Sequence, residues 1–122
     1  MHTGNKIPLV NKSKNIKIIL NIMTKKSLGS VGILNNKKQL IGIITDGDIR
    51  RNFGKANVIS EKIMNRKPIT TTKDTLVVEA IEIMNEKKIT CLFVSEKNIG
   101  KNGIIKPIGI LHIHDCLRAG IM

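Results

Sequence analysis

The sequence predicts an α+β fold in which a βαββα unit occurs twice, with pseudo-two-fold symmetry between the copies. The first observation is a near-duplication: residues 42–50 read as glycine, an apolar run and an aspartate at a helix start, and residues 109–117 repeat that order. The second is that strand and helix periodicities alternate in the same order in both halves. The third is size, because 122 residues of 41% apolar composition suit one compact domain, or two half-domains that must share a core.

The first copy opens with an extended segment and a helix. Residues 7–10 contain a proline, which disfavours a helix and suits the first residues of a strand. Apolar residues at helical spacing then predict an amphipathic helix, which Ser13 or Asn15 caps and Gly29 ends. The apolar stripe consists of Ile16, Ile19, Leu20 and Met23.

A hairpin and a short helix complete the first copy. Residues 30–34 predict a buried strand and residues 40–45 its partner, because the two apolar runs flank a polar turn of asparagine and lysine. Thr45 or Asp46 caps the helix that follows, and Gly54 stops it.

The second copy repeats this order. Residues 67–70 predict an extended segment, and Asp74 or Thr75 is predicted to cap the next helix. Residues 92–94 and 108–111 predict the second hairpin. The inner face of the helix is predicted to contain Leu76, Ala80, Ile81 and Met84.

The repeats divide the chain into residues 1–54 and residues 67–122, with a linker at residues 55–66. Apolar residues in the linker predict a short packed helix rather than a loose tether. The hairpin connection at residues 96–106 is longer than its counterpart and contains two glycines, which predicts a variable loop.

The formal charge of +12 favours an anionic small ligand rather than a nucleic acid. Only four of the 21 basic residues are arginines, the lysines are scattered along the chain, and only Phe53 and Phe93 are available to stack on bases. No apolar run approaches the roughly 18 residues needed to span a membrane, and the first ten residues lack the apolar segment of a signal peptide. We therefore expect no nucleic-acid partner, no membrane partner and a cytoplasmic location.

Motifs in both halves give a closer resemblance. Residues 45–51, 63–68, 79–84 and 112–120 resemble a tandem pair of CBS (cystathionine β-synthase) domains, the Bateman module. More narrowly, they are similar to the carboxyl-terminal CBS pair of bacterial arabinose-5-phosphate isomerases, in the sugar-isomerase/CBS family. The opening residues 1–4 look like the junction that follows the sugar-isomerase domain in those enzymes.

The resemblance implies a regulatory function. It implies an upstream sugar-isomerase domain in the same protein that interconverts D-ribulose 5-phosphate and D-arabinose 5-phosphate, on the path to the lipopolysaccharide sugar Kdo. The chain would then bind a regulatory nucleotide or sugar nucleotide, namely AMP, ATP or CMP-Kdo, and would take part in a homodimer or tetramer. The alternative is a structural module that binds no ligand and only assembles the isomerase subunits.

The candidate ligand-binding residues lie where each hairpin ends and a helix starts. Thr45 and Asp48 are three positions apart, so that a hydroxyl and a carboxylate can face the hydroxyls of a ribose. The alternative is that Thr-x-x-Asp only caps the helix. In the second copy His112 replaces the hydroxyl residue and Asp115 keeps the carboxylate, so that a protonated imidazole could add charge near a phosphate.

Four more residues complete the predicted ligand sites. Arg51 and Arg118 each follow a motif aspartate by three positions, and Arg50 follows one by two. At these positions a guanidinium can bind a phosphate, and ordinary surface charge is the alternative, which is favoured for at least one of Arg50 and Arg51. Leu9 and Ile69 belong to the two opening segments, whose apolar side chains can flank a base.

Metal binding and catalysis are not expected. His112 and His114 share a spacing of two, but the turn after Leu111 is expected to send their side chains apart. No nucleophile elbow, phosphate-binding glycine loop or isolated carboxylate pair is present, and Cys91 and Cys116 lack the spacing of a disulfide framework.

Overall fold

The computed structural model of the chain describes residues 3–26, 28–52, 54, 58–95 and 105–120. It divides into two compact units. The first-repeat unit consists of Pro8–Pro68, and the second-repeat unit consists of Ile69–Met122 together with Met1–Ile7. The segment predicted as a linker therefore lies within the first-repeat unit.

Each unit contains one βαββα sequence of elements. The first-repeat unit has β1 (Leu9–Asn11), α1 (Ile16–Lys26), β2 (Ser30–Leu34), β3 (Leu40–Thr45), α2 (Asp46–Arg51) and α3 (Ser60–Ile63). The second-repeat unit has a 3₁₀ turn (Gly4–Lys6), β4 (Thr70–Thr72), α4 (Val77–Lys87), β5 (Cys91–Ser95), β6 (Pro107–His112) and α5 (Ile113–Gly120). The predicted α+β fold with two such repeats is confirmed.

The two sheets have the same topology. In the first-repeat unit β2 lies between β1, to which it is parallel, and β3, to which it is antiparallel. In the second-repeat unit β5 lies in the same way between β4 and β6. Thr45 pairs with Ser30, and His112 pairs with Cys91, so the last residue of the hairpin occupies the same register position in both sheets.

The core of the first-repeat unit forms where α1 meets the sheet. Its buried residues are Val10, Ile16, Ile19, Met23, Val31, Ile33, Ile44, Ile49 and Met64. Three of the four predicted stripe residues belong to this core, but Leu20 is 40% exposed and the prediction is wrong there. Positions i, i+3 and i+7 of α1 face the narrow three-stranded sheet, and Leu20 lies at the edge of that stripe.

The core of the second-repeat unit forms where α4 and α5 meet the sheet. One cluster of buried residues contains Ala80, Met84, Leu92 and Cys116, with partly buried isoleucines packed against it. The strand residues Phe93, Val94 and Ile110 are buried as well. Ala80 and Met84 are on the inner face of α4, as predicted, and Ile81 is partly buried. Leu76 is 66% exposed, so its predicted place in the core is wrong.

The start of α4 differs from the prediction. The residue that precedes the helix is Leu76, which offers no side-chain cap, rather than Asp74 or Thr75. The hydroxyl of Thr75 is used elsewhere, because it accepts hydrogen bonds from the hydroxyl of Thr71 at 2.5 Å and the backbone N–H of Thr72 at 3.3 Å. Threonine side chains often bond to nearby backbone in this way instead of capping a helix.

Caps and turns in the first-repeat unit agree with the sequence. The side chain of Asn15 caps α1 by accepting the backbone N–H of Ile18 at 3.1 Å. The hairpin turn closes with the N–H of Lys38 donating to the carbonyl of Asn35 at 3.0 Å, and Gly54 after α2 has a φ of +96°. The variable loop predicted in the second hairpin lies mostly outside the described residues.

The segment after α2 packs against the first-repeat unit. Ser60, which is fully buried, donates from its N–H and its hydroxyl to the carbonyl of Lys14 at 2.7 Å and 2.6 Å. Ile43 and Asn65 exchange two backbone hydrogen bonds of 3.1 Å and 2.9 Å. The predicted short helix is present as α3.

Candidate functional site

The corner between β3 and α2 holds the first candidate site. The backbone of Thr45 is extended, with a φ of −103° and a ψ of 170°, and α2 begins at the next residue. The N–H of Asp46, the first residue of α2, donates to the carbonyl of Gly29 at 3.1 Å. The end of the hairpin thereby fixes where the helix starts.

Thr45 and Asp48 form a reciprocal capping box. The hydroxyl oxygen of Thr45 accepts the backbone N–H of Asp48 at 3.3 Å. Oδ2 of Asp48 in return accepts the N–H of Thr45 at 2.9 Å and its hydroxyl at 3.1 Å. The capping alternative from the sequence is therefore realised in this structure. It also fixes the carboxylate of Asp48 at the corner, with its second oxygen, Oδ1, directed away from Thr45.

Two arginines lie over the same corner. Nη2 of Arg51 forms an ion pair with Oδ1 of Asp48. A Cβ built on Gly47 would lie 3.5 Å from Nη1 of Arg51, 3.6 Å from the hydroxyl oxygen of Thr45 and 4.0 Å from Nη2 of Arg50. The corner therefore brings together all three of the predicted residues, and Arg50 joins them.

The corner between β6 and α5 holds the second candidate site. The N–H of Ile113, the first residue of α5, donates to the carbonyl of Thr90 at 2.8 Å, as Asp46 does to Gly29. Nη2 of Arg118 forms an ion pair with Oδ1 of Asp115, which matches the pair of Arg51 and Asp48. In both repeats an aspartate near the start of the helix thus forms an ion pair with the arginine three residues later.

The imidazole of His112 takes the place of the threonine hydroxyl. Its Nδ1 accepts a hydrogen bond from the backbone N–H of His114 at 3.2 Å, so the imidazole caps the start of α5. The rings of His112 and His114 stack with their centroids 4.9 Å apart and their planes 26° apart. The expectation that the turn sends these side chains apart is wrong, because the helix begins directly after His112 and places both rings on the same side.

The two apolar candidates lie away from the corners. Leu9 is partly buried on the edge strand β1, where it pairs with Gly32 of β2, so that β2 separates it from β3. Ile69 precedes β4 and packs against the core of the second-repeat unit. The structure therefore places neither side chain in contact with the capping groups of its own corner.

Cys116 lies within the second corner, one residue after Asp115. Burial raises the pKa of its thiol, and the negative charge of Asp115 raises that pKa further. The thiol is therefore protonated and a poor nucleophile near neutral pH, because the thiolate is the reactive form.

Sequence reasoning named Arg50 only as a candidate beside Arg51, with ordinary surface charge as the alternative, and it missed the end cap of α2. Asn52 donates from its side-chain amide to the carbonyl of Asp48 at 2.8 Å and closes the end of α2. An asparagine just after a short predicted helix is the signal that indicates such an end cap.

The described parts of the chain contain neither a group of metal ligands nor a membrane-spanning helix. No three His, Cys, Asp or Glu side chains are grouped there in a way that could hold a metal ion. No helix in those parts has the length and apolar character needed to cross a membrane.

The chain belongs to the CBS domain family. The profile of the CBS domain matches residues 2–55 and again residues 59–121, which correspond to the two repeats. The chain is 34% identical over 126 residues to the arabinose 5-phosphate isomerase KdsD of Yersinia pestis, where it matches the carboxyl-terminal CBS region. The match covers 100% of this chain but 36% of KdsD, so the chain spans about a third of the length of that relative.

Solved structures agree on the fold. The structure of CBSX2 in complex with AMP superposes with a TM-score of 0.80 at 19% identity, covering 99% of this chain and 92% of the other. The CBS domain pair of MJ0100, solved in complex with 5′-methylthioadenosine and S-adenosyl-L-methionine, has a TM-score of 0.77 at 25% identity, covering 92% and 86%. Both of these structures are CBS proteins solved with adenine-containing compounds, and both share the fold of this chain.

Proposed function

We propose that this CBS pair senses a nucleotide or sugar nucleotide, and that the corners at the starts of α2 and α5 bind the ribose. The observation that carries the proposal is the repeated carboxylate. Asp48 and Asp115 are each the third residue of their helix, and each is paired with an arginine three residues later. A carboxylate fixed in this way can accept hydrogen bonds from the two adjacent hydroxyls of a ribose.

The capping hydrogen bonds are compatible with this function. Oδ2 of Asp48 is occupied by Thr45, but a carboxylate has about four lone-pair positions, so Oδ1 can still accept hydrogen bonds. The cap therefore orients the carboxylate of Asp48 and leaves Oδ1 able to accept a hydrogen bond from the ligand. Leu9 and Ile69 lie outside the corners that we propose for the ribose, and we propose that they flank the base.

We further propose that the ligand regulates a sugar-isomerase domain of the same protein. Support comes from KdsD, an arabinose 5-phosphate isomerase of which the chain matches only the carboxyl-terminal part. The proposed ligands are AMP, ATP and CMP-Kdo, the last being a product of the pathway to the lipopolysaccharide sugar. The whole protein would act in the cytoplasm and would interconvert D-ribulose 5-phosphate and D-arabinose 5-phosphate.

Regulation requires that the ligand bind two arrangements of the protein with different affinities. Isothermal titration calorimetry with AMP, ATP and CMP-Kdo tests the first step, on the wild-type chain and on Asp48→Ala and Asp115→Ala. We expect at least one ligand to bind and each substitution to abolish or strongly weaken one site. Absence of binding by all three ligands would remove the sensing function.

A second function is favoured by a separate observation. Apolar side chains are exposed at the start of α4, where Val78 is 60% and Leu76 66% exposed, and Ile18 is exposed on α1. Exposed apolar groups on helices are typical of surfaces through which subunits associate. We propose as the alternative that the chain holds isomerase subunits in a homodimer or tetramer without binding a ligand.

The mass of the isolated chain separates the two functions. Multi-angle light scattering of the wild type and of Leu76→Ser/Val78→Ser measures association directly. A dimer or tetramer that the double substitution dissociates, together with no heat in the calorimetry, indicates assembly. A monomer that binds nucleotide indicates sensing.

A further inference from the structure

On the proposed function of the first corner, Arg51 and the ribose compete for the same oxygen of Asp48. The acceptor oxygen that remains available to a ribose is Oδ1 of Asp48, because Oδ2 already accepts two hydrogen bonds from Thr45. That same Oδ1 is the atom with which Arg51 forms its ion pair. A ribose that binds to Asp48 must therefore share this oxygen with the guanidinium or displace it.

Displacement of Arg51 costs little. The side chain of Arg51 is 70% exposed, whereas that of Asp48 is 19% exposed. Exposed ion pairs within a helix stabilise a protein only slightly, because both groups are well solvated when apart. The carboxylate stays fixed by the cap while the guanidinium can leave, so Arg51 is the mobile partner of the pair.

A displaced guanidinium has a partner only if the ligand carries an anion. Nη1 of Arg51 and Nη2 of Arg50 both lie within 4.0 Å of the point where Gly47 lacks a side chain. Among the described residues Arg50 forms no ion pair, and Asp46, the other carboxylate of this turn, is exposed and pairs with neither arginine. Two guanidiniums on either side of Gly47, with no side chain of that residue between them, can bind a phosphate with several charge-assisted hydrogen bonds.

We propose that Arg51 exchanges Asp48 for the phosphate of the ligand, so that the first corner binds ribose more tightly when the ligand is phosphorylated. The phosphate draws the guanidinium from Oδ1, and the oxygen becomes available to the ribose hydroxyls. An uncharged nucleoside must break the same ion pair without offering Arg51 a new partner. The favoured ligand class is therefore a nucleoside monophosphate or a phosphorylated sugar, and unphosphorylated nucleosides bind more weakly.

The second corner provides an internal contrast. Leu117 occupies the position that corresponds to Arg50, so Arg118 is the only arginine of that corner. The exchange of Arg118 from Asp115 to a phosphate would gain fewer hydrogen bonds. The dependence on phosphate is therefore predicted to be stronger in the first repeat.

The test compares AMP with adenosine by isothermal titration calorimetry on chains that carry Asp115→Ala, so that the first corner is measured alone. In this background AMP is expected to bind at least about tenfold more tightly than adenosine, because only AMP gives Arg51 a new charged partner. Arg51→Gln should weaken the binding of AMP by about tenfold, because the phosphate loses its charged partner. The same substitution should leave the affinity for adenosine unchanged or higher, because the guanidinium no longer competes for Oδ1. Arg51→Lys, which keeps the charge but loses the paired donors, should fall between.

Arg66→Gln is the matched control. Arg66 bonds to the backbone carbonyl of Glu61 at 3.0 Å and belongs to neither corner, so its removal changes the net charge equally. It should leave the ratio of AMP to adenosine affinity unchanged. If Arg51→Gln alters both ligands by the same factor, the exchange is wrong although the proposed sensing function stands. If AMP, adenosine, ATP and CMP-Kdo all fail to bind the wild type, both the exchange and the proposed sensing function are wrong.

Discussion

The corner of the first repeat and the corner of the second repeat share a backbone but differ in the group that caps the helix. In the first, the hydroxyl of Thr45 accepts an N–H from Asp48, and in the second, the imidazole of His112 accepts an N–H from His114. The aspartate and arginine pairs remain the same. The difference shows that the cap can be exchanged while the carboxylate keeps its place, and that the two corners offer different donors to a ligand.

The two cores differ in a similar way. Ile19 on α1 and Ala80 on α4 occupy corresponding positions, 61 residues apart, and both are fully buried. The same buried helix position therefore holds an isoleucine in one unit and an alanine in the other, although the order and register of the sheets are the same.

The largest expected effect concerns this pair. Ile19→Ala should lower the free energy of unfolding by roughly 2–5 kcal/mol, because it removes three carbons from a fully buried site and leaves a cavity. Leu20→Ala, on the same helix but 40% exposed, is the control and should cost less than about 1 kcal/mol. Urea denaturation followed by circular dichroism measures both values. Equal losses for the two variants would contradict the assignment of the stripe.

The caps should have a smaller effect. Thr45→Ala removes the cap of α2 and should lower the free energy of unfolding by about 1 kcal/mol, whereas Thr45→Ser keeps the hydroxyl and should cost less. His112→Ala removes the acceptor for the N–H of His114 and should cost about 0.5–1.5 kcal/mol. Thermal unfolding compares the three variants. Indistinguishable Thr45→Ala and Thr45→Ser proteins would show that the capping box does not stabilise the first corner.

The smallest effect concerns the reactivity of one thiol. Cys116 occupies the position that corresponds to Ile49 of the first repeat, and both are buried. Since its pKa is raised, the thiolate fraction falls at every pH below that pKa, and iodoacetamide should react at pH 8 at least about tenfold more slowly with native than with denatured protein. Asp115→Asn should increase the native rate, because it removes a charge that raises the pKa. Mass spectrometry of the Cys116 peptide measures both rates, and rapid native labelling would contradict the prediction.

Most of the fold follows from local patterns. Both strands of the first hairpin begin and end at the predicted residues, because their apolar runs are bounded by turn residues with a defined chemistry. The helix at Thr45 was also predictable, since Thr-x-x-Asp is a capping sequence. These features depend on residues within a few positions of each other, which the sequence specifies directly.

Features that depend on competition or on three-dimensional packing were not predictable. Thr75 is a good capping residue by type, but its hydroxyl bonds to Thr71 and Thr72 instead. The stacking of His112 on His114 depends on the residue at which α5 begins, and helix starts are the least certain part of a sequence-based prediction. In the same way, the closeness of Arg50 to Gly47 and Thr45 depends on how the side chains are placed, which becomes visible only in three dimensions.

A titration of the ¹⁵N-labelled chain with AMP tests the central claim most directly. Backbone N–H signals report which residues a ligand reaches, independently of any substitution. We predict the largest shift changes at residues 45–51 and 112–118, with saturation at both corners or at the first corner alone. Changes confined to other parts of the chain, with these two segments unmoved at saturation, would contradict the assignment of the corners as ligand-binding sites.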